Sequence, residues 1–135
     1  MIEFVRFKTP IGFLSILAIK DGVLKISFSN ESLEKILQWS RKKIGIDIVK
    51  GNEFTYHAKG QILDYLSRKR KSLVFSIVHF NSPFRMRVLE AERKIPYGET
   101  RSYKDMAVIL GNPSLARVVG AANANNPLPL YFPCH

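Results

Sequence analysis

Two helical segments separated by only two residues, Gly111 and Asn112, constrain the fold of this chain more than any other feature. The first segment begins with a capping-box pattern, in which Ser102 is the cap and Asp105 follows three residues later. Gly111 predicts the end of that helix, and Pro113 suits the first turn of the next one. Two short helices joined so tightly form a helix-turn-helix, whose second helix normally contacts DNA. Because many helical cores also contain such pairs, the pattern alone does not establish DNA binding.

The second helix of this pair carries one long cation among small residues. Arg117 follows Ala116 and precedes Gly120 and Ala121. An asparagine–proline break and an apolar run then lead to the cysteine–histidine pair at residues 134 and 135. We interpret the small-faced helix as one that holds a polymer on which the cysteine acts. An ordinary solvated helix residue is the alternative interpretation of Arg117.

The sequence contains a single cysteine, Cys134, and His135 follows it directly. A thiol beside an imidazole is a nucleophile beside its base. The base matters because an unperturbed thiol, with a pKa of about 8.5, is mostly protonated at neutral pH. An inert buried thiol is the alternative that applies to most single cysteines. The Pro-Cys-His context favours the nucleophile.

The chain of 135 residues is strongly basic, with a formal net charge of +10, and 46% of its residues are hydrophobic. Such a charge favours polyanionic partners, among which nucleic acid is the commonest soluble one. The two densest basic runs, Arg41–Lys43 and Arg68–Lys71, lie outside the C-terminal stretch. Charge therefore supports a nucleic-acid partner without locating its site, and a generally basic proteome or a solvated surface would give the same total.

Several classes of protein are not expected. The sequence has no run of eighteen apolar residues, so no transmembrane helix and no membrane partner are predicted. Residues 1–8 lack the apolar region of a signal peptide. One cysteine cannot form an internal disulfide, and three histidines argue against a dedicated metal site. We predict a cytoplasmic protein in a reducing compartment, without a metal or another cofactor.

Residues 1–80 are predicted to form a small α/β lobe. Strand-like patterns flank Asp21-Gly22, a dipeptide that favours a hairpin turn. From Asn30 the apolar spacing becomes that of an amphipathic helix, and a second helix is predicted from about Phe54 to Arg70. A β-rich run follows from Leu73 to Phe80.

Residues 81–135 are predicted to form a second, mostly helical lobe. Ser82-Pro83 combines a capping residue with a proline at the first helical position. Phe84, Val88 and Ala91 then form an apolar stripe at helical spacing.

Six motifs of this second lobe, in their order and spacing, resemble the O6-alkylguanine-DNA alkyltransferases, or methylated-DNA–protein-cysteine methyltransferases. The motifs are Ile95-Pro96-Tyr97-Gly98-Glu99-Thr100, Ser102-Tyr103, Gly111-Asn112-Pro113, Ala116-Arg117-Val118-Val119-Gly120, Asn126-Pro127-Leu128-Pro129 and Pro133-Cys134-His135. The resemblance covers residues 82–135 closely and the first eighty residues only in layout. It implies an α/β fold in which a ribonuclease-H-like lobe precedes a helix-turn-helix (winged-helix-like) lobe.

The resemblance implies a suicide DNA-repair protein. Members of this family bind duplex DNA through the minor groove, flip the damaged guanine and move its O6-alkyl group to a cysteine that is never regenerated. Carried over to this sequence, Cys134 is the nucleophile and His135 its base through a bridging water. Asn126 would pin the link between the helix and the active-site strand. Tyr103 would contact the phosphate and donate a proton toward guanine N3, and Pro129 would wall the base pocket.

The DNA-contacting residues follow from the same resemblance. Arg117 would fill the gap left by the flipped base and so offset part of its unstacking cost. The small residues Ala116, Gly120 and Ala121 would let the helix approach the groove closely, and Ser102 would add a contact to DNA. A packed core tyrosine is the alternative interpretation of Tyr103.

The family continues beyond its Pro-Cys-His motif with segments that lie outside the present sequence. They are an arginine and apolar residues, a loop that closes over the base, and a C-terminal helix, together with a glutamate that polarises the histidine. A shortened product, a domain of a longer fused polypeptide and a degenerate relative are three explanations that the sequence cannot rank. A form ending at His135 is expected to be a weak or inactive alkyltransferase.

Two other functions are compatible with these residues. A non-catalytic module could bind alkylated DNA and act within a longer fused or associated repair protein. A general basic helix-turn-helix DNA binder would leave Pro133-Cys134-His135 unexplained. Alkyltransferase-like sensors in this family usually replace the cysteine with tryptophan, so Cys134 favours transfer. The predicted partner is double-stranded DNA containing O6-alkylguanine, bound by a monomer associated with the nucleoid.

Overall fold

The computed structural model describes residues 1–45, 48–79, 83–95, 103–112, 116–117, 119–120 and 126–132, with the backbone alone at 103–104. The chain divides into two compact units, Met1–Phe80 and Asn81–His135. The first unit contains a sheet with two helices, and the described part of the second is helical and irregular. The predicted mixed α/β fold is confirmed.

The first unit is built on a four-stranded sheet. Its strands are β1 (Ile2–Thr9), β2 (Gly12–Ile19), β3 (Gly22–Phe28) and β4 (Ile48–Lys50), in the order β3-β2-β1-β4. β1, β2 and β3 run antiparallel through two tight turns, the second of which is the predicted turn at Asp21-Gly22. β4 pairs parallel with β1. A parallel neighbour needs a crossover, and α1 (Leu33–Lys43) supplies it.

The start and end of α1 follow from local sequence. Ser32 caps the helix by accepting a hydrogen bond from the Lys35 amide at 3.2 Å. The last turn carries Arg41, Lys42 and Lys43, whose charges complement the negative end of the helix dipole. Between these ends, Ile36 is fully buried in a cluster with Ile2, Phe4, Leu17 and Leu24. An amphipathic helix thus covers one face of the sheet.

The two residues before the second helix, α2 (Tyr56–Leu66), are held by a carboxylate from β1. Glu3 is only 4% exposed, and its Oε1 accepts three hydrogen bonds. Donors are the Phe54 amide at 2.9 Å, the Thr55 amide at 3.1 Å and the Thr55 hydroxyl at 3.0 Å. These two amides precede the helix, and a negative charge near a helix N-terminus also complements its dipole. This contact therefore ties α2 to the sheet.

Replacing Glu3 with leucine should lower the free energy of unfolding by about 3 kcal/mol, because the part-buried Phe54 amide and the buried Thr55 amide lose a charged acceptor. The Thr55 hydroxyl keeps only its longer bond to the Gly51 carbonyl, at 3.4 Å. Glu3→Gln should cost less, since its amide oxygen can still accept. Urea denaturation of both variants measures the effect. Glu53→Leu, an exposed glutamate near the same helix start, is the matched control. An equally small loss for Glu3→Leu and Glu53→Leu would contradict this role of the carboxylate.

The predicted β-rich run at Leu73–Phe80 does not form a full strand in its described part, which ends at residue 79. It makes an isolated parallel bridge between Ile77 and Val23. The Val23 amide donates to the Ser76 carbonyl, and the Val78 amide donates to the Val23 carbonyl, both at 2.9 Å. The run contacts the first two residues of β3, Gly22 and Val23. A Cβ on Gly22 would lie 2.7 Å from the Ser76 carbonyl oxygen. Contact with the edge of β3 is therefore short and depends on glycine.

The second unit has its own apolar core. α3 (Pro83–Arg93) begins at the predicted proline, and α4 (Tyr103–Ile109) precedes helical backbone at 116–117 and 119–120. Four buried residues from these segments form the core cluster: Val88, Met106, Ala107 and Val119. Within the described parts of the chain, none of the helices has the length and apolar character needed to cross a bilayer.

Candidate DNA-binding and active site

The turn between the two helices of the predicted helix-turn-helix is closed by backbone hydrogen bonds at the end of α4. The Gly111 amide donates to the Val108 carbonyl, and the Asn112 amide donates to the Ala107 carbonyl, both at 2.9 Å. These two bonds define a Schellman motif. Gly111 has a φ of +104°, a conformation that glycine adopts without steric cost. The predicted helix stop is thus a specific turn that redirects the chain.

The helical segment after this turn packs against α4 and α3 on one side. Val119 is fully buried in the core cluster with Met106, and Ala116 packs against that cluster while remaining half-buried. Arg117 is exposed, and Gly120 is half-buried three residues later. Residues three apart lie on one side of a helix, so Arg117 and Gly120 share a side. The predicted cation therefore faces outward from a helix that its neighbours anchor.

The segment before the cysteine, residues 126–132, is fixed by the side chain of Asn126. Its Nδ2 donates to the Phe132 carbonyl at 2.9 Å, and its Oδ1 accepts from the Leu128 amide at 2.8 Å. The Phe132 amide also donates to the Leu128 carbonyl at 3.0 Å. Both Leu128 and Phe132 are fully buried. One amide therefore joins the two ends of a short segment whose apolar side chains anchor it.

The same segment contains an unusual backbone conformation. Leu130 has a φ of +74°, in the left-handed region that side chains with a Cβ rarely adopt. Such a residue persists only when surrounding contacts hold it. Pro129, the predicted wall of the base pocket, lies half-buried immediately before it. The turn at 129–130 is thus held by its flanking anchors.

The remaining predicted site residues fall partly outside the described residues. Cys134, His135, Ser102 and Ala121 lie outside them, and so does the side chain of Tyr103, whose backbone begins α4. The described residues therefore include the segment 126–132, which precedes Cys134 in the sequence, and the exposed Arg117. Within the described ranges, the side chains of histidine, cysteine, aspartate and glutamate form no group of three that could hold a metal ion.

Comparison with known proteins connects this arrangement to one family. Residues 83–135 match the family described as 6-O-methylguanine DNA methyltransferase, DNA binding domain. The constitutive methylated-DNA–protein-cysteine methyltransferase of Bacillus subtilis is 34% identical over 98% of this chain and 78% of its own length. The chain belongs to the methylated-DNA–protein-cysteine methyltransferase family. The family predicted from the six motifs is confirmed.

Other members of the methylated-DNA–protein-cysteine methyltransferase family are similarly related. The Methanosarcina acetivorans relative is 32% identical over 98% of this chain and 80% of its own length. Among solved structures, Mycobacterium tuberculosis O6-methylguanine methyltransferase has a TM-score of 0.82 at 29% identity and covers the whole of this chain. This chain covers 77% of that structure. Mycobacterium tuberculosis OGT in complex with DNA also gives a TM-score of 0.82, at 28% identity over 98% of this chain and 76% of its own.

Proposed function

We propose that this protein repairs DNA by transferring an alkyl group from O6 of guanine to Cys134 in a single turnover. The observation that carries this proposal is the match of residues 83–135 to the family's DNA-binding domain, a stretch that includes Cys134 and His135. Further support comes from the anchored segment 126–132, which leads directly to the cysteine. A repair protein that uses its own cysteine as acceptor needs such a fixed approach, because reacting atoms must be held close and aligned.

In the proposed step, the Cys134 thiolate attacks the alkyl carbon on O6. A sulfur–carbon bond forms while the carbon–oxygen bond breaks, and the electron pair of the broken bond stays with the guanine. The thiol proton passes to His135 through a bridging water, and Tyr103 supplies a proton toward guanine N3. Both proton-transfer roles come from the family resemblance. The thioether product is stable, so each molecule acts once.

Mass spectrometry tests the proposal directly. Incubation with duplex DNA containing O6-methylguanine should add the mass of one methyl group to the peptide that bears Cys134, with one methyl per protein molecule at saturation. Undamaged duplex of the same sequence is the control. If the protein binds the damaged duplex and no mass is added, it is a non-catalytic damage-binding module.

Arg117 is proposed to occupy the space left by the flipped base. Its exposure on the side it shares with Gly120 supports this role. We expect Arg117→Ala to impair flipping, reported by 2-aminopurine fluorescence beside the lesion, more than it impairs affinity. The Arg117→Ala variant and its control Arg41→Ala should both bind duplex DNA with an affinity that falls steeply as the salt concentration rises, because phosphate contacts release counterions. Arg41→Ala, an exposed arginine at the end of α1, is the matched control. Equal losses of flipping and affinity for Arg117→Ala would make Arg117 an ordinary phosphate contact.

The remaining proposals concern the partner and its setting. The preferred DNA is proposed to be a duplex with O6-alkylguanine, bound by a monomer in the cytoplasm. Competition between alkylated and undamaged duplexes, followed by sedimentation of the complex, measures both the preference and the stoichiometry.

A further inference from the structure

The last turn of α3 contacts the segment that leads to Cys134. The guanidinium carbon of Arg93 lies 4.1 Å from the centre of the Tyr131 ring. A cation within about 6 Å of an aromatic ring centre is attracted by its electron-rich face. The same helix offers an internal comparison, because Arg87 lies 6.0 Å from the ring centre of Phe84. Of these two contacts, both between described residues, the Arg93–Tyr131 contact is the closer.

Tyr131 is placed to transmit this contact to the anchored segment. Its ring packs edge-on against Phe132, with centres 4.9 Å apart and planes at 84°. Phe132 is fully buried, and its carbonyl accepts the Asn126 amide. Any displacement of Tyr131 would thus disturb a residue that lies only two positions before Cys134.

The backbone of this segment also needs external support. Leu130, the residue immediately before Tyr131, has the left-handed φ of +74°. This conformation costs free energy for a residue with a Cβ and persists only when its surroundings determine it. Asn126 joins residues 128 and 132 from within the segment. The cation of Arg93, which contacts the Tyr131 ring, ties the segment to α3 from outside.

We infer that Arg93 and Tyr131 form a clamp that holds residues 126–132 against α3 and so positions Cys134 for transfer. The positioning part of this inference rests on the proposed function, whereas the clamp itself does not. Arg93 and Tyr131 are positioning residues, since neither is argued to touch the reacting atoms. The clamp adds an external tie to the internal one made by Asn126.

Amide hydrogen exchange measured by NMR tests the clamp without any reaction. The reporters are the Leu128 and Phe132 amides, whose acceptors are Asn126 Oδ1 and the Leu128 carbonyl. Arg93→Met and Tyr131→Leu should each speed their exchange by about fivefold, the size expected for a partly buried cation–ring contact. Arg93→Lys and Tyr131→Phe keep the cation and the ring, so both should stay closer to wild type. Arg87→Met removes the same charge from the same helix and should leave both amides unchanged.

Single-turnover transfer rates test the positioning role. Arg93→Met should slow transfer by about fivefold relative to Arg87→Met, which calibrates the loss of one positive charge for DNA affinity. The double variant Arg93→Met/Tyr131→Leu should be no slower than the worse single variant, because the two residues act as one unit. Duplex affinity should be the same for Arg93→Met and Arg87→Met.

Two results would overturn the inference in whole or in part, and a third would overturn the proposed function without deciding the clamp. Unchanged exchange of Leu128 and Phe132 in both Arg93→Met and Tyr131→Leu would exclude the clamp. Faster exchange with an unchanged transfer rate would exclude its positioning role. If the wild-type protein transfers no alkyl group, the proposed function fails, and the exchange experiment alone decides the clamp. Should Tyr131→Leu fail to fold, Arg93→Met compared with Arg93→Lys gives the same decision.

Discussion

Replacement of Cys134 by alanine should abolish alkyl transfer to the protein and leave duplex binding unchanged. The sequence contains no second cysteine that could accept the alkyl group. The thiolate is the nucleophile in such a step, and alanine has no atom that can replace it. Binding should persist because the exposed Arg117 and the anchored helix around it lie on a different segment.

Transfer of a radiolabelled methyl group from O6-methylguanine duplex to protein measures this effect, with a gel-shift assay for binding. Cys134→Ser is the matched variant, because it keeps the size of the side chain and replaces the thiol with a hydroxyl that stays protonated near neutral pH. It should also be inactive. If either variant still acquires label, the acceptor is another residue and the assignment of Cys134 is wrong.

The local features of the fold could be predicted because their causes lie within a few residues. The sequence predicts a turn at Asp21-Gly22, where Asp21 lies in the turn and Gly22 begins β3, and it predicts Pro83 as a first helical residue, which begins α3. Gly111 was predicted as a helix stop and takes the left-handed conformation of a Schellman motif. In each case a glycine permits, or a proline fixes, a backbone conformation that other residues disfavour, and this leaves a signal in the sequence.

Features that depend on distant partners could not be predicted in the same way. Glu3 is one charged residue in an alternating strand, and only the fold brings its carboxylate to the amides of Phe54 and Thr55. The run from Leu73 was predicted to be β-rich from its composition, but composition does not set how many residues meet β3. Pairing of strands depends on register and on neighbours, which a single sequence does not display.

Some residues of the candidate site could be predicted from the sequence, and others could not. Family motifs located Asn126 and Arg117, and the structure places one in a hydrogen-bonded segment and the other on an exposed helix side. Arg93 and Tyr131 belong to none of the quoted motifs, and their contact was missed. An arginine at a helix end has an ordinary explanation as a dipole partner, so no signal in the sequence distinguishes it.

Replacement of Asn126 by leucine should lower the transfer rate more than any other change to the described residues. Leucine has a similar size but can neither donate to the Phe132 carbonyl nor accept from the Leu128 amide. Each buried polar group left without its partner costs about 1–3 kcal/mol. The segment can relieve this cost only by moving, and a shift of about 1 Å at a reacting group can cost about 10²-fold in rate.

The Asn126→Leu substitution should therefore change the single-turnover transfer rate without changing the duplex affinity. The rate should fall by about 10²-fold or more while the affinity stays unchanged, because the exposed cation at Arg117 is on another segment. Asn126→Asp keeps the acceptor for the Leu128 amide but places a charged acceptor against the Phe132 carbonyl in place of the donor, so its rate should fall below that of wild type. Asn52→Leu, an exposed asparagine of the first unit, controls for a general effect of this substitution. A rate for Asn126→Leu equal to that of Asn52→Leu would mean that Leu128 and Phe132 hold the segment through burial alone, and that the amide of Asn126 does not position Cys134.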